Sequence, residues 1–81
     1  MLDSEDEITG RVRGIMVDLF QVDRAALTPE SSRDTIGSWD SANHLTLILA
    51  LEEEFGVSFE VSEIESMFSL QDILAVLESK L

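Results

Sequence analysis

The sequence predicts an all-α fold, a small four-helix bundle with a long loop between the first and second helices and a short third helix. Three observations carry that expectation. Apolar residues recur at helical spacing in separate segments, no stretch shows the period-two alternation of a strand, and cap or turn residues stand where each segment begins or stops. With 81 residues, 44% of them hydrophobic and 27% charged, the chain can build one packed core and is too short for two, so residues 1–81 read as a single domain.

Ser4 followed by Glu7 reads as a capping box, and Ile8, Val12, Ile15 and Leu19 then share one face, which places the first helix over residues 4–20. Gly10 and Gly14 sit inside it, each costing about 1 kcal/mol against Ala, so this helix depends on docking. From Gln21 to Asp40 no helical period is sustained. Thr28-Pro29, Ser31-Ser32 and Gly37-Ser38 are turn and cap signals, and the segment reads as loop with room for a short helical turn around Asp23 to Ala26. A loop of this length needs anchors, and Val22, Leu27, Ile36 and Trp39 are spaced to supply them.

The central helix, Ser41 to Phe55, carries Leu45, Leu47, Ile48, Leu49, Leu51 and Phe55, a set too broad for one stripe, so it is expected to contact neighbours on several sides before Gly56 stops it. Val57 and Phe59 lead into Ser62-x-x-Glu65, which reads as a second capping box opening a short helix with Ile64, Met67 and Phe68. Ser69 is the expected cap of the last helix, where Leu70, Ile73, Leu74, Leu77 and Leu81 keep helical spacing. Short connections then imply mostly antiparallel packing.

Composition narrows the function. Five Lys and Arg against 17 Asp and Glu leave a formal charge of −12, a field that repels nucleic-acid backbones and anionic lipid surfaces and attracts basic patches on other proteins. No nucleic-acid or membrane partner is expected, and the charge favours a monomer. The apolar run Leu47–Leu51 is too short to span a bilayer, and the first residues are acidic where a signal peptide is basic, so the expected location is cytoplasmic. The chain has no cysteine, so any thiol chemistry must arrive with an attached group.

Asp40 and Ser41 open the central helix, where unpaired backbone N–H groups and the helix dipole favour a phosphate. An exposed hydroxyl at a loop-to-helix junction can enter another enzyme's active site, and an adjacent carboxylate can help hold the metal ion that phosphoryl transfer requires. On local sequence alone, a simple helix cap is the stronger explanation of the pair.

The wider pattern is more specific. Ile36-Gly37-Ser38-Trp39-Asp40-Ser41, then His44-Leu45, then Leu49-Ala50-Leu51-Glu52-Glu53-Glu54-Phe55-Gly56-Val57 resembles the acyl carrier protein family, of the discrete, stand-alone type, and the likeness extends back to Leu27-Thr28-Pro29-Glu30-Ser31-Ser32 and forward through the last two helices. The resemblance implies a non-catalytic carrier whose Ser41 receives 4′-phosphopantetheine from coenzyme A through a phosphopantetheinyl transferase using magnesium, with Asp40 assisting installation. It also implies that the arm's thiol carries acyl or aminoacyl groups as thioesters, at the high effective concentration that tethering gives, to acyl-activating or acyl-transferring enzymes with basic docking patches. Ala42, Leu45 and Leu49 are the first candidates for partner contacts. Ala42 stands where the family usually has Leu, and Asn43 and Thr46 where carriers of fatty acid synthesis commonly have acids, which points to a specialised biosynthetic pathway rather than housekeeping fatty acid synthesis.

Other readings of the same residues are weaker. His44, three residues after Ser41, suggests a serine–histidine pair, but no third group or oxyanion loop is recognisable, and a packed helix-face histidine is the simpler expectation. Glu52-Glu53-Glu54 and the acids at positions 3 and 5–7 lack calcium-loop spacing and read as solvated faces, with no metal site. Phe59, Met67 and Phe68 read as core, or as the far wall of a cleft beside the central helix. The rival to a carrier is a small acidic helical protein–protein interaction domain with no prosthetic group, which would tolerate Ser41→Ala.

Overall fold

The computed structural model describes residues 7–81. Helix α1 (Glu7–Phe20) buries Val12, Met16 and Phe20, an i, i+4 row. The expected row through Ile8, Val12, Ile15 and Leu19 is therefore displaced around the helix, and Ile8, Ile15 and Leu19 flank the buried row as half-buried residues packed against the core. The Ser4–Glu7 capping box lies outside the described residues. The Arg24 guanidinium lies over Gly10 and Gly14. Its Nη2 donates to the Gly10 carbonyl at 3.1 Å, and a Cβ on Gly10 or Gly14 would meet it at 3.5 or 3.9 Å.

The loop after α1 contains one turn of 3₁₀ helix, Arg24–Ala26, within the expected stretch. Leu27, Ile36 and Trp39 anchor it in the core and Val22 is half-buried beside them. The loop is also tied to the end of the chain. Helix α4 (Leu70–Lys80) begins with N–H groups that have no intrahelical acceptor, and those of Leu70 and Gln71 donate to the loop carbonyls of Ser31 and Pro29 at 2.9 and 3.1 Å. The Arg33 N–H donates to the Phe68 carbonyl at 3.1 Å, completing the tie. Ser69 caps α4 as expected, its Oγ accepting from the Asp72 N–H while Asp72 Oδ2 accepts from the Ser69 N–H.

Helix α2 (Ser41–Phe55) packs against α1 with His44, Leu47, Ile48 and Leu51 buried, and ends at Gly56 with φ 66°, the left-handed cap that glycine adopts without steric cost. Its apolar set is not wholly inward, since Leu45 and Leu49 are 57% and 65% exposed. Two of the three glutamates at its end do structural work rather than forming a solvated face. Glu52 Oε2 accepts from the Phe59 N–H at 2.9 Å, and Glu54 pairs with Arg11 of α1 at 2.7 Å.

Helix α3 (Val61–Ser66) starts one residue before Ser62. The cap acid is Glu63, whose Oε1 accepts from the Glu60 N–H at 2.9 Å, so the expected Ser62–Glu65 box is displaced by two residues. Lys80 Nζ of α4 lies 2.9 Å from the same Glu63 Oε1, so the acid that closes the box also pairs across the fold. Phe59 and Met67 join the core, whereas Phe68 is 46% exposed and is not a core residue.

Candidate functional site

The geometry around the Asp40–Ser41 junction follows from how α2 is started. Asp40 is the N-cap, in extended conformation, and its Oδ1 accepts from the Asn43 N–H at 2.9 Å. That capping bond uses one of the helix's first donors, and the Asp40 carbonyl takes the His44 N–H at 2.8 Å. The N–H groups of Ser41 and Ala42 have no acceptor among the described residues. Ser41 is the first helical residue, fully on the surface, and its hydroxyl likewise has no partner among the described residues. An exposed hydroxyl therefore stands beside two free N–H donors at the positive end of a 15-residue helix.

The chain before this hydroxyl is held rigidly. Ser38 Oγ donates to the Phe20 carbonyl at 3.0 Å, and Asn43 Nδ2 donates to the Ser38 carbonyl at 2.7 Å, closing the loop onto α2. Trp39 is buried, stacked on Phe20 with ring centroids 5.4 Å apart. Its indole N–H donates to His44 Nδ1 at 2.9 Å, which leaves His44 Nε2 to carry the proton and donate to the Ile64 carbonyl at 2.9 Å. Both nitrogens of His44 are thus engaged away from Ser41, and no serine–histidine pair exists. His44 is a buried strut joining the loop, α2 and α3, a more specific role than the packed helix-face residue expected.

Beside Ser41 runs an open groove of about 340 Å³ between α2 and α3, lined by Arg33, Ser41, His44, Leu45, Val61, Ile64 and Glu65. Leu45 is a shared element of groove and surface. Ala42 and Leu49 are exposed on α2 outside it. The expected far wall differs: Val61 and Ile64 form it, because Met67 and Phe59 are consumed by the core and Phe68 faces outward next to α4. Asn43 and Arg33 were not legible as site residues. Asn43 had one usable signal, an amide at the third position after an Asp cap, where a side chain can reach back to the loop.

No protein-family model matches the chain. Among characterised proteins, it is 36% identical over 77 residues to an acyl carrier protein of Thermosynechococcus vestitus, with 95% of either chain covered. It is 32% identical over 79 residues to an acyl carrier protein of Thermotoga maritima, covering 96% of both. The solution NMR structure of a holo acyl carrier protein from Nitrosomonas europaea superposes with a TM-score of 0.79 at 28% identity, over 93% of this chain and 96% of that one. Similarity at this level over nearly the full length, together with a helical bundle that presents a free serine at the start of its second helix, shows that the chain belongs to the acyl carrier protein family.

Proposed function

We propose that residues 1–81 act as one carrier domain in which Ser41 bears 4′-phosphopantetheine and Asp40 assists its installation. The observation that carries this reading is the Ser41 hydroxyl itself, exposed and unpartnered among the described residues at the N-terminus of α2. The prosthetic group fits the residues present: the N–H groups of Ser41 and Ala42, without an acceptor among the described residues, would be available to a phosphodiester on Oγ, and the helix dipole would favour its charge. Once bound, the arm supplies a thiol that a cysteine-free chain lacks and holds cargo as a thioester.

The chain's own contribution is positional. During installation Ser41 Oγ would act as nucleophile on the pantetheine-bearing phosphorus of coenzyme A in the active site of a transferase, giving up its proton to a base there as the new O–P bond forms, while the bond to the bridging pyrophosphate oxygen breaks and adenosine 3′,5′-bisphosphate leaves. Asp40 caps the helix through Oδ1 alone, and its second oxygen has no protein partner among the described residues, so the carboxylate can share a magnesium ion with that transferase. Acyl-handling partners with basic patches dock on the exposed apolar residues Ala42, Leu45 and Leu49, steered by the net charge of −12. The absence of acids at Asn43 and Thr46 supports a pathway other than housekeeping fatty acid synthesis, because both residues serve the chain itself: Asn43 bonds the Ser38 carbonyl and Thr46 the Ala42 carbonyl.

Intact mass after incubation with coenzyme A, magnesium and a broad-specificity phosphopantetheinyl transferase tests the assignment. One added phosphopantetheine, absent in Ser41→Ala, is the expected result. No addition by several transferases, with the protein folded, would overturn it in favour of an interaction domain without a prosthetic group.

A further inference from the structure

Four of the five cations in this acidic chain have structural work. Arg11 pairs with Glu54, Lys80 with Glu63, Arg13 donates to the Arg24 carbonyl and Arg24 to that of Gly10. Arg33 differs. Among the described residues its side chain makes no hydrogen bond or ion pair, although 17 acidic residues are available to it. Its backbone is fixed by the bond to the Phe68 carbonyl, it is half-buried, and it is one of the residues that line the groove beside Ser41.

Arg33 is half-buried as a residue, and the planar fork of donors on its guanidinium matches an oxyanion bidentately. The rest of the groove, Leu45, Val61 and Ile64 over His44, offers apolar surface, and Glu65 on the same groove repels an anion from the α3 side toward Arg33. In a chain of charge −12, an arginine with no ion-pair partner among the described residues places an uncompensated positive group at this groove.

We infer that Arg33 binds an oxyanion of the loaded arm in this groove, an inference that rests on Ser41 carrying the arm. The oxyanion has two possible sources, the phosphodiester on Ser41 and a carboxylate at the far end of a dicarboxylic acyl cargo folded back along Val61 and Ile64. Both present the same chemistry to the guanidinium.

The test loads wild type, Arg33→Gln and Arg33→Lys with pantetheine arms ending in a free thiol, an acetyl group or a succinyl group. It reads the Arg33 Nε–H resonance, the melting temperature relative to the apo form, and the rate of thioester cleavage by hydroxylamine. If the phosphodiester is the source, the Nε–H shift appears already in the free-thiol form, and loading raises the melting temperature less in Arg33→Gln than in wild type, equally for all three arms, with Arg33→Lys between them. If the cargo carboxylate is the source, both effects appear only in the succinyl form, whose thioester is cleaved several-fold faster in Arg33→Gln than in wild type. An Nε–H resonance unmoved in every loaded form, with identical loading shifts in wild type and Arg33→Gln, would overturn the inference. Failure of the carrier reading is distinguishable, because then neither wild type nor Arg33→Gln gains mass at all.

Discussion

The indole N–H of Trp39 donates to Nδ1 of His44 across 2.9 Å, and through it the residues on either side of Asp40–Ser41 are fastened to one another inside the core. Trp39 is a donor only, so it fixes the histidine as the Nε2–H tautomer, and that proton then holds the Ile64 carbonyl of α3. Trp39→Phe keeps most of the stacking on Phe20 and removes the donor. A buried Nδ1 left without a partner costs about 1–3 kcal/mol, and denaturation followed by circular dichroism is expected to show a loss of that size. Amide exchange in α3 is the second readout, and faster exchange at its carbonyl-bonded turns is expected if the strut also holds that helix in place.

Asp40 combines a cap with the proposed metal role, and the two are separable by substitution. Asn caps as well as Asp, so Asp40→Asn is expected to stay within roughly 0.5 kcal/mol of wild type, whereas Asp40→Ala loses about 1 kcal/mol. Transferase-catalysed modification is expected to slow in both variants. Modification of Asp40→Asn at the wild-type rate would reduce Asp40 to a cap.

Leu45 and Leu49, 57% and 65% exposed, have little to lose from truncation in the free protein. Leu45→Ala and Leu49→Ala are expected to change stability by less than about 0.5 kcal/mol and to raise KM for the carrier in assays with its acyl-transferring partners. An unchanged KM in both variants would move the docking surface elsewhere.

How far the sequence reveals this molecule depends on whether a feature is local. Helix α2, its glycine stop and the Ser69 cap are written in adjacent residues, and each stands where the pattern puts it. The register of α3 is not local. Two capping boxes are available, and the acid of the one that forms also pairs with Lys80, seventeen positions beyond Glu63, a contact that no reading of the segment by itself could find. Likewise the contact of Arg24 with the glycines of α1 joins a loop residue to the helix and is not readable in either segment alone. At the site, Asp40 and Ser41 are legible because cap chemistry is local. That Arg33 has no side-chain partner among the described residues depends on where the carboxylates fall in the fold and is visible only in three dimensions.

The Arg24 clasp gives a test of its own. A methyl group at position 14 would sit 3.9 Å from Arg24 Nη1, ordinary contact distance, while Ala gains on Gly in a helix interior. Gly14→Ala is therefore expected to stabilise the protein by about 0.5–1 kcal/mol in urea denaturation. A destabilised variant would mean that the guanidinium needs the bare backbone there.

Glu63 ties the short helix to the end of the chain, and its ionisation makes that tie sensitive to acid. The carboxyl is held below its ordinary value of 4.5, first by the backbone N–H of Glu60 and then by Lys80. A carboxylate whose folded-state value is depressed binds its proton more readily in the unfolded chain, so its contribution is complete above the ordinary value and is lost as pH falls through the depressed one. Glu63→Gln keeps an acceptor for the Glu60 N–H but has no charge to lose. The urea midpoint of wild type is thus expected to exceed that of Glu63→Gln near neutral pH, with the difference closing as the pH is taken below about 4. Because Lys80 is the last residue of α4, the same titration is expected to loosen that helix end, read as faster amide exchange at its final turn in wild type but not in the variant. A gap between the two proteins that persists into acid would show that the carboxylate's charge is not what joins α3 to α4.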